Sequence, residues 1–310
     1  MSDATPPLPL STRHVAQQFA RRGDLADAEF LYGEIAQRMM GRLRYIRTDP
    51  TDLLDAGCGS GTRLPLLRER YTRANYIGLD HAADAIARAR SQYQSSGMRA
   101  WVERVTRRDA PSTTFVQADL AQTGLEAETL DLVWSNLALH WHPRPHDVIQ
   151  EWRRVLRTGA LVMFSCLGPS TLIELRHALA SAGLATDTPR FVDMHDFGDL
   201  LIEKGFADPV MDQETLTLTY REPEKLLQDV RALGGNPALQ RRAGLTTPAW
   251  RARLIDALQA QRDGDGLIKL SIEVAYGHAW RAGSRRTTAT ETHLSLDAIG
   301  GRAATRPRSS

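Results

Sequence analysis

Between residues 53 and 166 short apolar runs alternate with stretches of helical spacing. The runs are LLDAG (53–57), YIGLD (76–80), TFVQAD (114–119), LDLVWSN (130–136) and ALVMFSC (160–166), and the intervening stretches at 62–70, 82–94 and 145–157 read as helices. Nearly continuous apolar strands separated by helices predict β-α-β units and a mainly parallel sheet with helices on both faces, an α/β fold. Upstream, Phe30, Leu31, Ile35, Met39, Leu43 and Ile46 fall on one face of an amphipathic helix over 27–46. The texture changes after residue 168. Helices are expected at 169–182, at 196–204 with Asp196 as its cap, at 222–233 and at 248–261. Strands are expected near 208–219 and at 268–280, where Ile268, Leu270, Ile272 and Val274 alternate. The Pro-rich first twelve residues are expected to be mobile and the last ten disordered. No internal repeat is found.

With 310 residues, 42% of them apolar and 25% charged, the chain has material for one enlarged domain or for one domain with a substantial appendage, and is too apolar to be disordered. No apolar run is long enough to span a membrane, and the start, MSDATPPLPLST, lacks the basic and apolar regions of an export signal. The two cysteines, Cys58 and Cys166, cannot assemble a structural zinc site, so a reducing, cytoplasmic setting is expected. Thirty-nine basic residues against 37 acidic ones give a net charge of +2, which carries no nucleic-acid footprint. Local basic patches remain. Arg99, Arg104, Arg107 and Arg108 lie in a segment, 94–113, longer than a βα connection needs, and arginines 21, 22, 38, 42, 44 and 47 form a second group.

The chemistry concentrates at strand ends. In LLDAGCGSG, Asp55 closes the first strand, and Gly57, Gly59 and Gly61 form the turn into the next helix. Glycine is needed where backbone must adopt positive φ and pass close to a ligand. The spacing is G-x-G-x-G, with Thr62 where a dinucleotide fingerprint would place its third glycine. Asp80 ends the second strand, where a carboxylate accepts both hydroxyls of a ribose, and Asp119 ends the third, where it or the backbone at Leu120 reads an adenine. This set resembles the class I S-adenosylmethionine-dependent methyltransferases. The resemblance implies a Rossmann-like seven-stranded sheet with an N-terminal helical lid and a C-terminal α/β extension. It places Asp55 behind the methionine amino end of S-adenosyl-L-methionine, Asp80 and Asp119 on its nucleoside, and Ser135, Asn136 and Leu137 facing the methyl group.

The second half narrows the resemblance. DLVWSNLALHW (131–141), LGPSTLIELR, DMHDFGDLL, DPVMD and YGHAW (276–280) are similar to the malonyl-acyl-carrier-protein O-methyltransferases of early biotin synthesis, over about residues 12 to 280. That family usually carries a tyrosine five places after an N-terminal arginine. Here Ala26 follows Arg21 at that spacing, and the first tyrosine is Tyr32. The implied partner is an acyl carrier protein carrying malonyl, or malonyl-CoA. The implied organisation is a lid segment (1–47), a methyltransferase domain (48–220), an extension (221–300) and a tail (301–310). Mitochondrial assembly factors of respiratory complex I, methyltransferase-like proteins that hydroxylate an arginine of a partner subunit, share His140, Trp141, Thr171, Leu172, Glu174, Leu175 and Arg176. They stand as the alternative, with a non-catalytic cofactor-binding scaffold as a third reading. For carboxyl methylation a guanidinium is expected to orient the acceptor bidentately, and Arg176 is the candidate. Asn136 is expected to donate to substrate or cofactor and Trp141 to wall the substrate arm. His140 and His142 are read as structural, since no third metal ligand recurs at usable spacing.

Overall fold

The computed structural model describes residues 7–22, 25–94, 110–242 and 246–283, with residues 20–22, 25 and 26 described by their backbone alone. The arginine-rich stretch holding Arg99, Arg104, Arg107 and Arg108 and the C-terminal tail lie outside the described residues. Seven strands, β1 (Asp52–Ala56), β2 (Asn75–Asp80), β3 (Thr113–Gln117), β4 (Leu130–Asn136), β5 (Leu156–Leu167), β6 (Phe206–Tyr220) and β7 (Ile268–Arg281), form one sheet in the order β3-β2-β1-β4-β5-β7-β6. The first five are parallel; β7 runs antiparallel between β5 and β6. The stretch expected as an extension after residue 220 thus supplies an interior strand of the main sheet, and no break in the sheet falls at 220.

Strand residues feed two apolar layers by simple alternation. Leu53, Leu132, Trp134 and Met163 face one side, where α2 (Glu29–Leu43) packs Leu31, Ile35, Met39 and Leu43. Leu54, Val133, Val162 and Phe164 face the other, against Val148, Ile149 and Trp152 of α5 (Pro145–Val155) and Phe197 and Leu201 of α7 (Met194–Glu203). Helices α3 (Leu64–Arg70) and α4 (Ala83–Tyr93) make the first two crossovers. Helices α6 (Ile173–Ser181), α8 (Pro223–Leu233) and α9 (Pro248–Gln259) pack together around the β5 and β7 half of the sheet.

Three local expectations are corrected. Helix α7 starts two residues earlier than read and is capped by Asp193, whose carboxylate accepts the His195 N–H at 2.8 Å; Asp196 stands in its first turn. Helix α6 starts later than read because Leu172 is left-handed (φ 61°) and residues 168–171 are bound instead to Glu273 of β7, through the Gly168 N–H, the Ser170 N–H and the Thr171 hydroxyl. Residues 8–11 are held in place. The Leu8 N–H donates to Pro143, the Ser11 N–H to Pro237, and Leu10 is buried beside Ala238. From there a helix absent from the sequence reading, α1 (Thr12–Arg22), runs across the carboxyl ends of the strands.

Candidate active site

The sheet reverses direction of growth between β1 and β4, which opens a crevice at their carboxyl ends where ligands of such sheets bind. The crevice is a cavity of about 390 Å³. Its floor is the glycine turn after β1. Gly57 (φ 87°) leaves the strand so close to the β4 turn that a Cβ there would lie 2.2 Å from that of Ala138, and Gly59 (φ 55°) donates its N–H to Asp80 at 2.9 Å. The other Asp80 oxygen accepts the Ala82 N–H at 2.9 Å. Each carboxylate oxygen keeps acceptor capacity, and the side chain lines the cavity, as a ribose diol requires.

Asp55 lies beneath the turn, fully buried, accepting the Tyr76 hydroxyl at 2.6 Å. Burial raises its pKa to about 7; the Tyr76 hydrogen bond and the nearby Arg63 guanidinium pull in the other direction. Arg63 pairs with Glu29, the first residue of α2, and thereby ties the N-terminal helices to the turn. Asp119 stands half-exposed at the rim, accepting from the Ala121 N–H at 2.7 Å and sharing a 3.1 Å hydrogen bond with His142; Leu120 lines the cavity beside it.

The inner end is built by the last residues of β4. The Ser135 hydroxyl donates to Ala56 at 2.8 Å, and the Leu137 N–H donates to Ser165 Oγ at 3.0 Å. This holds Leu137 in the left-handed region (φ 52°), a conformation that costs an ordinary residue about 1–2 kcal/mol. Asn136 lines the cavity but its amide is engaged, donating to the Tyr32 carbonyl at 2.9 Å and accepting from Ser165 Oγ at 3.0 Å, so it positions Tyr32 over the strand end. Trp141 closes the inner wall. Phe19 of α1 meets its ring edge-on at 5.9 Å and Phe191 at 6.2 Å, and Gly234 leaves it room, since a Cβ there would lie 2.2 Å from the indole. His140, behind it, is buried, and burial lowers its pKa to about 3, so it is neutral.

Of the expected site residues, Asp55, Gly57, Gly59, Asp80, Asp119, Leu120, Asn136 and Trp141 all line this one cavity. Gly61 (φ 78°) instead turns the chain against the Phe115 ring. Arg176 lies elsewhere, in a separate open cleft with Arg190 and Arg242. Its guanidinium donates to the carbonyls of Thr171 and Pro169, both at 2.6 Å, and so secures the loop after β5; burial lowers its pKa, with Glu174 and Glu273 opposing that. The acceptor cation expected at Arg176 is therefore not at the inner end of the cavity. Sequence reading missed Phe19, Tyr32 and Arg63, which bring α1, α2 and α3's leading turn into the wall. The first tyrosine after Arg21 was a signal for Tyr32; the apolar content of α1, little more than Val15, Ala16 and Phe19, was too thin to mark a helix. Among the described residues no cluster of three potential metal ligands occurs, and no helix is long and apolar enough to cross a membrane.

This cavity can hold a nucleoside between acidic strand ends and an acceptor against an inner wall of Tyr32, Asn136, Leu137 and Trp141, which offers neither a carboxylate nor a titrating imidazole. The methyltransferase domain profile matches residues 54–164, the span from β1 to β5. Among solved structures, the YcgJ protein from Bacillus subtilis superposes with a TM-score of 0.52 at 13% identity, covering 80% of this chain and 99% of that one. The Haemonchus contortus phosphoethanolamine N-methyltransferase 2 gives 0.54 at 13% identity, over 88% of this chain and 61% of that one. These likenesses establish the fold. Curated relatives are much nearer in sequence. The malonyl-[acyl-carrier protein] O-methyltransferase of Laribacter hongkongensis is 42% identical over 83% of this chain and 85% of its own length. That of Nitrosospira multiformis is 39% identical over 93% and 96%. The chain therefore belongs to the malonyl-[acyl-carrier protein] O-methyltransferase family and is a methyltransferase.

Proposed function

We propose that this chain methylates the free carboxylate of a malonyl group carried as a thioester on an acyl carrier protein, with S-adenosylmethionine as donor. The observation that carries this reading is the pairing of acidic strand ends with an inner wall that holds no general base. S-adenosylmethionine supplies an electrophilic methyl group on a sulfonium. Asp80 would accept its ribose hydroxyls, Asp119 and the backbone at Leu120 would meet its adenine, and the turn 57–59 would pass along its methionine part. The glycines and the unspent acceptor capacity of Asp80 fit that group.

A malonyl carboxylate is ionised at pH 7 and needs no proton removed before it attacks. One carboxylate oxygen forms the new bond to the methyl carbon as the carbon–sulfur bond breaks; the electron pair stays on sulfur, the two opposite charges vanish, and no proton moves. The protein's share is alignment and exclusion of water that would solvate the carboxylate. Phe19, Trp141 and Leu137 wall the inner end with apolar surface for that purpose. A reducing, cytoplasmic setting accords with the two buried free thiols, Cys58 and Cys166.

The test is incubation of the protein with S-adenosylmethionine and malonyl-carrier protein, or malonyl-CoA, followed by mass spectrometry of the acyl group. A gain of about 14 mass units on the carboxylate, insensitive to chelators and to removal of oxygen, is expected. Oxygen-dependent addition of about 16 units to an arginine of a protein substrate, with no ester formed, would replace this reading.

A further inference from the structure

We infer that two N–H groups, Nε2 of His140 and Nε1 of Trp141, hold the oxygens of the acceptor carboxylate where the main cavity adjoins the small pocket behind Trp141. The inference rests on the methyl-transfer reading above and names the residues that orient its acceptor.

Both atoms are buried with no hydrogen-bond partner among the described residues. Nε1 of Trp134 and of Trp152 are in the same state but belong to side chains of the packed core that line neither of these cavities, whereas His140 and Trp141 do line one or both. Trp141 lines the main cavity. It also lines, with His140, a small pocket of about 20 Å³ that shares Tyr32 and Leu137 with the main cavity. The two ring centroids are 4.7 Å apart. A buried donor without an acceptor costs about 1–3 kcal/mol, so a pair of them on neighbouring rings that line an apolar pocket marks a place where an acceptor is expected.

The donor atom on His140 follows from its neighbour. Nδ1 accepts the Leu167 N–H at 3.4 Å, which puts the proton of the neutral imidazole on Nε2. The ring is packed edge-on by Phe191 at 5.4 Å and tilted against Trp141, while Trp141 is held by Phe19, Phe191 and Gly234, so neither donor is free to swing away. Neutral donors also suit the chemistry. A guanidinium would orient a carboxylate firmly but would draw off the negative charge that makes its oxygen a nucleophile. Two N–H dipoles orient it in a water-poor pocket and leave it anionic.

Two experiments decide the matter. The first uses the protein saturated with S-adenosylhomocysteine and labelled with ¹⁵N, titrated with malonyl-pantetheine and, separately, with propionyl-pantetheine, which lacks the carboxylate. The Trp141 indole and His140 imidazole N–H resonances are expected to move downfield with malonyl and not with propionyl. The second uses His140→Asn, which keeps an acceptor for Leu167 but cannot reach the Nε2 position, His140→Gln, which carries an amide N–H about that far, and Trp141→Phe. His140→Asn and Trp141→Phe are expected to lower kcat/KM for malonyl-carrier protein roughly 10- to 100-fold, with S-adenosylhomocysteine affinity within about twofold of wild type, and His140→Gln to recover much of the loss. Binding of malonyl-pantetheine with both resonances unmoved, or equal activity of His140→Asn and His140→Gln, overturns the inference and leaves the proposed function standing. Failure of the wild-type protein to bind or methylate any malonyl thioester overturns both.

Discussion

At the scale of single residues, the most consequential is Asp55. Its carboxyl is fully buried under the glycine turn with a pKa of about 7 in the folded protein against an ordinary value near 3.8. A raised folded value means that the folded state holds a proton the unfolded state has already lost. The stability this gives is fully present below about pH 4 and is lost as pH rises through 7, a contribution on the order of 4 kcal/mol. Urea unfolding at pH 5 and pH 8 is expected to show the wild-type protein losing stability toward pH 8, and Asp55→Asn, which cannot ionise, losing much less. An identical pH dependence in both proteins would mean that Asp55 is ionised throughout. The position of Asp55, Asp80 and Asp119 was legible in sequence because an acid at the end of an apolar run has one place to be in a parallel sheet. Arg176 was not. Its residue type suited an anionic acceptor, but its direction is set by the carbonyls of Pro169 and Thr171, and the left-handed turn at Leu172 that presents them leaves no mark in the hydrophobic pattern.

At the scale of elements, periodicity located the core helices and strands to within a few residues, since each buries a stripe or a face. Ends were less legible, because a cap is a hydrogen bond and several residues near a helix start can make it. In α7 both Asp193 and Asp196 are of the right type, and the structure gives the cap to Asp193. Its carboxyl is held below the usual range by the His195 backbone N–H first and the His195 ring second. Asp193→Ala is expected to destabilise the protein by about 1 kcal/mol and Asp196→Ala by a few tenths, read as shifts in urea midpoint. The reverse order would return the cap to Asp196. Helix α1 escaped for a different reason: it closes a ligand cavity and buries few side chains in the core, so its one apolar face is only Val15, Ala16 and Phe19 wide in an otherwise polar stretch.

At the scale of the whole molecule, the alternation at 268–280 announced a strand but not its neighbours. Pairing partners are a property of the sheet. β7 aligns Leu161 to Leu167 of β5 on one side and nearly the full length of β6 on the other, so among the described residues it is the one strand through which β6 pairs with the rest of the sheet. A chain ending at residue 267 is therefore expected to keep β1 to β5 while leaving the edges of β5 and β6 unpaired, and to aggregate in the cell where the full chain does not; sedimentation of the two from lysate checks this. The order of synthesis gives the same geometry a temporal meaning. β6 leaves the ribosome before the strand that will seat it, and waits through two helices, α8 and α9, with both its edges open. The nascent protein passes through an interval in which its most extended strand is unsheltered, so chaperone contact should be strongest after residue 220 emerges and end once residue 281 is free to insert.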